Sequence, residues 1–426
     1  MSIQTAPRCA WLVLVLALLL LSGTTSHAQV TGATLSGKIT DSSGAVVVGA
    51  HIVIEKMDTG ITREAVTNAE GLYSAPNLAP GTYEVSIRAV GFATQDRHGV
   101  TLTVGGDQVI DAQMRVGQST ETIVVRDEAP VLQLESSEMS AVVDSRTVRE
   151  LPLNGRSWTD LATLQPGVAR IEAQSTAGAG ADRGEHGFGT QLTISGGKPV
   201  QNNYRLDGIS VNDYANGGPG SVLGPALGVD AVQEFSVITA NYSAEYGRTS
   251  GGVVNAITRS GTNDFHGSVF EFIRNSAMDA RNFFNTPSAG PKSPFKRNQF
   301  GGSLGGPIIK EHTFFFANYE GIRQSKGIST QASVPTALAR TGQLVGGTVP
   351  VDSSAAAYLP FWHLPTPGLP TSGDFGTYSF TAQQIVNENF FTTRVDHSIA
   401  TKDELAGTYV FDNAPYTLPD GLNITL

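Results

Sequence analysis

Side chains able to perform nucleophilic, acid–base or metal chemistry are few and widely spaced in this sequence. Cys9 is the only cysteine and lies in an N-terminal apolar segment, so a chain without that segment has no thiol for catalysis, a disulfide or a metal site. Lys198 follows two glycines, but Pro199 stands where a phosphate-binding loop requires Ser or Thr. No HExxH motif or other short-range ligand spacing occurs among the histidines, which are His27, His51, His98, His186, His266, His312, His363 and His397. We therefore expect no enzymatic activity, no cofactor and no metal site.

Composition narrows the class of protein further. The chain has 426 residues, of which 48 are glycine, and only 15% are charged, a glycine-rich and charge-poor balance that is typical of membrane β-barrels. The formal net charge is -10, and no Lys- or Arg-rich block is present. The charge therefore argues against a nucleic-acid partner, because a phosphate-binding surface requires clustered basic residues.

The N-terminus has the features of a secretory signal. Arg8 precedes an apolar run from Trp11 to Leu21, and small and polar residues follow as far as Ser26-His27-Ala28. The run is shorter than the ~20 residues needed to span a bilayer, and the small-x-small ending favours cleavage after Ala28. We therefore interpret residues 1–28 as a signal peptide, with an uncleaved anchor as the alternative.

Apolar and polar residues alternate with period two from residue 35 to 116, so each predicted strand has one buried face. The buried faces comprise Leu35, Gly37 and Ile39, then Ala50, Ile52 and Ile54, then Tyr83, Val85 and Ile87, then Ile110, Ala112, Met114 and Val116. Turn sequences such as DSSG, NAEG and APG separate the strands, which predicts a small antiparallel β-sandwich.

The segments LSGKITDSSGAVVVGAHIVI and TNAEGLYSAPNLAPGTYEVSIRAVGF resemble the carboxypeptidase regulatory-like (Cna-B-like) module. That family has a carbohydrate-binding-like fold, so the resemblance implies possible contact with a glycan. No aromatic platform stands out in this stretch, and fold analogy alone is a weak basis for a ligand. We therefore expect a spacer role, and keep a surface adhesion or carbohydrate-binding protein as the alternative function.

A short β-prone run lies in STETIVVRDEAP, from Ser119 to Pro130, and consists of Glu121, Thr122, Ile123, Val124 and Val125. It resembles the TonB box, an extended peptide that adds a strand to the sheet of the periplasmic energy-coupling protein TonB. Main-chain hydrogen bonds supply the affinity in this mode of recognition. The alternative is that the run forms the last strand of the preceding sandwich.

The segment NYSAEYGRTSGGVVNAITRSGTNDF, residues 241–265, separates the more soluble first part of the chain from an aromatic-rich second part. Its motif residues are Glu245, Tyr246, Gly247, Arg248, Gly251, Gly252 and Asn255. The segment resembles the end of the plug domain in TonB-dependent outer-membrane receptors of the Oar-like branch. An ordinary glycine-flanked strand of a soluble β domain is the alternative.

The region before that segment also fits a plug. Residues 145–164 have helix-compatible spacing, and their LPLNGRSWTDLATL part resembles the opening of the Oar-like plug. Asp207-Gly208 between apolar runs predicts a β-hairpin. Two glycine-rich loops, residues 177–189 and 216–228, lack periodicity and are candidates for ligand contact.

Beyond Phe265 the alternation is typical of transmembrane strands, which place apolar residues towards lipid and polar residues towards the lumen. Phe391, Thr393 and Val395, for example, alternate with polar residues. The segments RNQFGGSLGGPIIKEHTFFFANYEGIR and FTTRVDHSIATKDEL resemble Oar-like barrel strands, and residues 331–375 resemble a long extracellular loop. A soluble sandwich with the same alternation is the alternative.

The predicted fold is mainly β, with a small β-sandwich, then a mixed α/β plug domain, then the first strands of an incomplete transmembrane antiparallel β-barrel. The predicted boundaries are 1–28 for the signal peptide, 29–117 for the sandwich, 118–130 for the TonB-box-like linker, 131–262 for the plug and 263–426 for the barrel. Plugged transporter barrels have about 22 strands, so we expect the sequence to be a fragment or a truncated gene.

The resemblance implies an outer-membrane receptor or transporter in which the plug gates the lumen. The implied partners are TonB, outer-membrane lipid and an extracellular ligand such as a glycan or peptide.

We predict that the exported protein begins at Gln29, because Ser26-His27-Ala28 provides the cleavage signature. N-terminal sequencing of protein recovered from the cell envelope measures this directly. Recovery of chains that still begin at Met1 would instead support an uncleaved anchor.

Overall fold

The chain is a mostly β-stranded protein that divides into a sandwich, a plug and a sheet of long strands. The structure, a computed structural model, describes residues 32–117, 122–126, 138–151, 153, 155–172, 190–212, 218, 227–247, 249–280, 292–400 and 403–417. The predicted signal peptide, Cys9 and Gln29 therefore lie outside the described residues.

The sandwich, as we name the first module, contains nine strands in two sheets. The strands are β1 (Ala33–Asp41), β2 (His51–Lys56), β3 (Thr62–Val66), β4 (Leu72–Leu78), β5 (Gly81–Arg88), β6 (Thr94–Leu102), β7 (Asp107–Val109), β8 (Ala112–Met114) and β9 (Thr122–Arg126). One sheet has the order β4-β1-β7, with β8 also paired to β1, and the other has the order β3-β2-β5-β6-β9. The two sheets enclose an apolar core.

The period-two pattern correctly predicts most of this core. Leu35, Ile39, Ile52 and Ile54 are completely buried, whereas Val116 is exposed because β8 has already ended at Met114. The pairing is mixed rather than purely antiparallel, since β7 and β8 run parallel to β1, and β9 runs parallel to β6. After β6 the chain crosses to the other sheet, where it forms β7 and β8, and then returns to form β9 beside β6. A crossover connection of this kind joins parallel strands.

The plug, as we name the second module, is built on a five-stranded sheet with the order β10-β15-β16-β13-β14, beside a separate β11-β12 hairpin. Its elements are β10 (Met139–Val143), α1 (Ser145–Glu150), β11 (Val168–Glu172), β12 (Thr190–Ile194), β13 (Asn203–Leu206), β14 (Ile209–Ser210), β15 (Val232–Ala240) and β16 (Val253–Thr258). Short 3-10 helices occur at Trp158–Leu164, Pro199–Gln201, Val229–Ala231 and Ala244–Tyr246.

The helix-compatible stretch of residues 145–164 forms two short elements instead of one helix. Helix α1 begins with the Asp144 side chain accepting a hydrogen bond from Thr147 N at 2.7 Å, which is a favourable N-cap. It ends at Glu150, and the next residue, Leu151, has an extended ψ of 135°. Leu151 precedes a proline, which disfavours the helical conformation of the residue before it. The Trp158 ring then packs edge-on against Phe235 at 4.9 Å between centroids.

The hairpin predicted at Asp207-Gly208 is present between β13 and β14. Asp207 has φ 48° and Gly208 has φ 84°, which is the pair of positive angles that a two-residue type I′ turn requires.

The third module, which we name the long-strand sheet, is antiparallel. Its main strands are β17 (His266–Asn275), β18 (Phe295–Ile309), β19 (Thr313–Pro335), β23 (Phe375–Ala400) and β24 (Asp403–Asn413), paired in that order. Smaller elements are α2 (Ala337–Arg340), β20 (Gln343–Leu344), β21 (Gly347–Thr348), α3 (Ser353–Ala356), a 3-10 helix at Leu359–Phe361, β22 (Thr371–Ser372) and β25 (Tyr416–Thr417). Within the described ranges, no helix is both long and apolar enough to cross a membrane.

The two faces of the long-strand sheet differ in polarity as the alternation predicts. On β23, Thr392 is completely buried against the plug side, whereas Phe391 and Val395 are the exposed neighbours. The connections also differ, since β18 joins β19 through residues 310–312, while β19 joins β23 through residues 336–374. The short connections lie at one end of the sheet and the long ones at the other, as in outer-membrane barrels with short periplasmic turns.

The sandwich contacts the other two modules at the end of the sheet that carries the short connections. Asn263 donates from its backbone N–H to Asp58 O at 3.0 Å and from its side chain to Thr59 O at 2.7 Å. The same side chain accepts a hydrogen bond from Glu311 N at 2.9 Å, and Glu311 lies in the short β18–β19 connection. One asparagine therefore joins a sandwich loop to the start of the long-strand sheet.

We predict that Gly252→Ala destabilises the plug, because a Cβ at this position would lie 2.3 Å from Ile194 Cγ2. Overpacking of this kind costs about 1–3 kcal/mol. The urea midpoint, followed by Trp158 fluorescence in a background with Trp11→Phe and Trp362→Phe, measures the change.

Gly247→Ala is the matched control, since the nearest atom to a Cβ there is Ala244 O at 4.0 Å. This variant should leave the midpoint almost unchanged. Equal midpoints for the two alanine variants would contradict the close approach of Gly252 to Ile194.

Candidate functional site

The residues of the plug-end motif lie on and before the central strand of the plug sheet. All six residues of β16 are buried, and β16 lies between β15 and β13. Gly251 and Gly252 precede it, where a Cβ on Gly251 would lie 2.5 Å from Asn202 Oδ1. The two glycines therefore allow backbone contacts that larger residues would prevent.

The rest of the motif is divided between the interior and the surface. Tyr246 and Asn255 are buried, and the Arg205 guanidinium lies 5.0 Å from the centre of the Tyr246 ring. Burial raises the pKa of the Tyr246 hydroxyl above its ordinary value. Glu245 is exposed, and Arg248 lies outside the described residues.

A first ionic contact joins the plug to the long-strand sheet through Arg394 of β23. Its Nη1 lies 3.0 Å from Asp207 Oδ1, in the type I′ turn of the plug. Its Nη2 lies 2.8 Å from Asp396 Oδ1 on its own strand. The Arg394 side chain is only 13% exposed, and two carboxylates therefore neutralise an almost buried guanidinium.

Hydroxyl groups and the backbone complete this contact. Thr258, at the end of β16, donates from N to Asp207 Oδ1 at 2.9 Å and from Oγ1 to Asp207 Oδ2 at 2.7 Å. Thr408 of β24 donates to Asp207 Oδ2 at 2.8 Å, and Ser260 donates to Asp396 Oδ2 at 2.6 Å. We name Arg394, Asp207, Asp396, Thr258, Ser260 and Thr408 the arginine clamp.

A second ionic contact involves Arg156, which belongs to the plug. Its Nη2 lies 2.5 Å from Asp230 Oδ2, and its Nε lies 3.5 Å from Glu320 Oε1 on β19. The guanidinium also lies 3.9 Å from the centre of the Phe270 ring of β17, a cation–π distance. Gln299 of β18 donates to Glu320 Oε1, so this contact ties the plug to three strands of the sheet.

Two glycines of the plug allow its backbone to lie close to the long-strand sheet. A Cβ on Gly228 of the plug would lie 2.3 Å from Glu320 Oε2, and a Cβ on Gly155 would lie 2.9 Å from the Arg297 guanidinium. The plug backbone therefore contacts side chains of the long-strand sheet directly.

The surface of the sheet that faces the plug combines polar and apolar side chains. Phe390 would lie 3.2 Å from a Cβ on Gly228 of the plug, and the Arg259 guanidinium lies 5.8 Å from the centre of the Phe316 ring. The buried polar side chains of β18, β19 and β23 are Gln299, Asn318, Glu320, Gln324, Glu388 and Thr392. Within the described ranges, no group of His, Cys, Asp and Glu residues could hold a metal ion. The two ionic contacts position the plug against the sheet.

A separate contact joins the sandwich to the plug. The Val104 backbone N–H donates to Glu234 Oε1 at 2.5 Å, and Glu234 is buried. Burial raises the pKa of Glu234 to about 7, against the opposing influence of the Val104 hydrogen bond.

The TonB-box-like run is partly described. Thr122–Arg126 forms β9, which pairs with β6 of the sandwich, while Glu121 lies outside the described residues. The candidate ligand loop at 177–189 also lies outside them, and of the loop at 216–228 only residues 218, 227 and 228 are described.

Sequence reasoning did not identify Arg156, Asp230, Glu320 or Arg394 as site residues. The available signal was a charged residue on the polar face of a predicted strand, as with Arg394 and Glu320, because such a charge needs a partner once it is enclosed. The sequence alone does not reveal that the partner lies in another module.

Three family models match the chain in succession. Residues 34–115 match the carboxypeptidase regulatory-like domain, residues 133–254 match the TonB-dependent receptor plug domain, and residues 257–426 match an outer membrane beta barrel domain.

The TonB-dependent transporter Oar of Myxococcus xanthus is 29% identical over 70% of this chain. The ferrienterobactin receptor of Escherichia coli is 27% identical over 46% of it. The outer membrane transporter YddB of Escherichia coli covers 66% of the chain and 34% of its own length at 14% identity, with a TM-score of 0.37.

The chain spans 27% of the length of the Oar transporter and 25% of that of the ferrienterobactin receptor. The succession of plug and barrel domains, together with these relatives, identifies both the family and its location. The chain belongs to the TonB-dependent receptors of the bacterial outer membrane.

Proposed function

We propose that this chain carries the gating and coupling elements of a TonB-energised uptake receptor that performs transport without catalysis. In this function the plug occludes the lumen, a ligand binds on the outer side, and TonB pulls on the N-terminal side of the plug to open a path. The observation that carries the proposal is the pair of ionic contacts, Arg394 with Asp207 and Arg156 with Glu320, that join the plug to the long-strand sheet.

Such an interface suits a part that must move. The plug is held together by its own apolar core, in which Trp158, Phe235 and Leu192 are buried, and this core favours movement of the plug as a unit. The contacts with the sheet include ion pairs and hydrogen bonds, which water can replace when the surfaces separate, together with apolar contacts such as that of Val410 with the plug core. Separating an apolar interface would instead expose surface at a cost of ~25 cal/mol per Å².

The two proposed partners bind at opposite ends of the long-strand sheet. TonB approaches from the periplasmic side, where the short connections and the sandwich lie, and adds a strand to the segment of residues 121–125. The extracellular ligand, a peptide or a glycan, binds at the opposite end, where the connections of residues 276–294 and 336–374 lie. We also propose that the modules end near residues 117, 130 and 262.

The sandwich is proposed to act as a spacer. Of its three aromatic residues, Tyr73 and Tyr83 are buried, and their hydroxyls donate to Ile110 O and Ala79 O. These two rings are therefore not available as a platform for stacking on a sugar, which favours the transporter over an adhesion function.

A substitution of Arg394, the cation of the arginine clamp, tests the interface between the plug and the long-strand sheet. Arg394→Met should leave Asp207 and Asp396 without their cation, and breaking a buried pair in this way costs about 3–5 kcal/mol. We expect faster hydrogen exchange of the β13 and β16 amides and unchanged exchange in the sandwich.

Thr408→Val is the control for Arg394→Met, because it removes one hydrogen bond to Asp207 and keeps the ion pair. Its cost should be about 0.5–1.5 kcal/mol. Similar exchange rates in the two variants would show that the ion pair does not hold the plug.

The coupling function is tested with a synthetic peptide of residues 119–130 and the purified C-terminal domain of TonB. The peptide should bind weakly by strand addition, and Ile123→Pro should abolish binding, because proline removes a ladder donor and fixes φ. Ile123→Val keeps the β-branched side chain and should bind like the original peptide. Calorimetric titrations that do not distinguish the proline peptide from the valine peptide would reject strand addition at this segment.

A further inference from the structure

The strand proposed to bind TonB already has a partner within the chain. Strand β9 pairs in parallel with β6 along its whole length, from Thr94 opposite Thr122 to His98 opposite Arg126. It is the outermost strand of the sheet ordered β3-β2-β5-β6-β9. The sandwich therefore supplies the same kind of main-chain pairing that strand addition by a partner would supply.

Strand β6, which pairs with β9, is anchored in the sandwich. Strand β6 pairs on its other side with β5 in an antiparallel arrangement, and Val100 and Leu102 of β6 lie in the sandwich core. Without β9, strand β6 would present a row of unpaired N–H and C=O groups at the sheet edge. Release of β9 therefore costs hydrogen bonds that water or another strand must replace.

The position of β9 along the chain makes this pairing relevant to coupling. The next described strand, β10, pairs with β15 of the plug from Met139 to Val143. A pull on β9 reaches the plug through β10 only after β9 has left β6, because a paired β9 transmits the force into the sandwich. The hydrogen bond from Val104 to Glu234 keeps the sandwich docked on the plug.

We propose that the β6 edge of the sandwich is an internal binding surface that competes with TonB for β9. The sandwich thus holds the coupling strand in a sequestered state, and productive coupling requires β9 to exchange from β6 to the partner's sheet. This inference rests on the proposed function, since it takes TonB as the partner of this segment. Addition of TonB to the open edge of β9, with β6 still paired, is the competing arrangement.

A reversible covalent lock tests the competition. Asp96 and Val124 are register partners on β6 and β9, so Asp96→Cys with Val124→Cys places two thiols opposite each other on one face of the sheet. A Cys9→Ser background removes the only native cysteine. The 426-residue chain is purified in detergent, oxidised or reduced, and titrated with the C-terminal domain of TonB.

We expect oxidation to weaken binding at least about tenfold, and the reductant to restore it. The matched control is Val53→Cys with Glu64→Cys, which joins the register partners of β2 and β3 in the same sheet without touching β6 or β9. Its oxidation should not change the affinity. Equal affinity of the oxidised and reduced Asp96/Val124 variant overturns the competition and supports addition at the open edge.

Two further measurements separate this inference from the proposed function. The free peptide of residues 119–130 is titrated in parallel, and its failure to bind TonB rejects the partner itself and both proposals together. Hydrogen exchange of the cysteine-free chain reports the sequestration without any lock. Protection of the β6 amides that is lost when TonB is added supports the competition, whereas free-peptide exchange rates of the β9 amides in the absence of TonB reject it.

Discussion

The buried guanidinium of Arg394 sets the condition that the surrounding structure must meet. A cation enclosed between the plug and the long-strand sheet is stable only with carboxylates and acceptors placed around it. Asp396 is supplied two positions along the same strand, and Asp207 is supplied by a turn whose positive φ angles present it to the sheet. The plug orientation is therefore fixed where its hairpin turn meets β23.

Two kinds of interaction have different roles in this chain. Apolar side chains close the core of the sandwich and the core of the plug, and each core defines a unit that keeps its shape. Ion pairs contribute to the contacts between units, as between Arg156 of the plug and Glu320 of the long-strand sheet. Because the sandwich and the plug each have their own apolar core, each keeps its fold when the contacts between them change.

Local patterns in the sequence predict local structure well here. Period-two alternation identified Leu35, Ile39 and Ile52 as core residues because a pleated strand places them on one face, and Asp207-Gly208 identified a hairpin because few residue pairs accept its dihedral angles. The family of the chain followed from longer motifs. The pairing of β9 with β6 remained one of two alternatives, and Arg394 lies 187 residues from Asp207, a separation at which no local pattern reports contact.

The carboxyl group of Glu234 links the stability of the folded chain to pH. Burial raises the pKa of Glu234 from its ordinary value of 4.5 to about 7. The stabilisation of the folded chain by the bound proton is fully present below pH 4.5 and is lost as the pH rises through about 7. Unfolding in this interval releases a proton to solvent, so the hydrogen ion acts as a ligand of the folded state at the place where Val104 of the sandwich meets the plug.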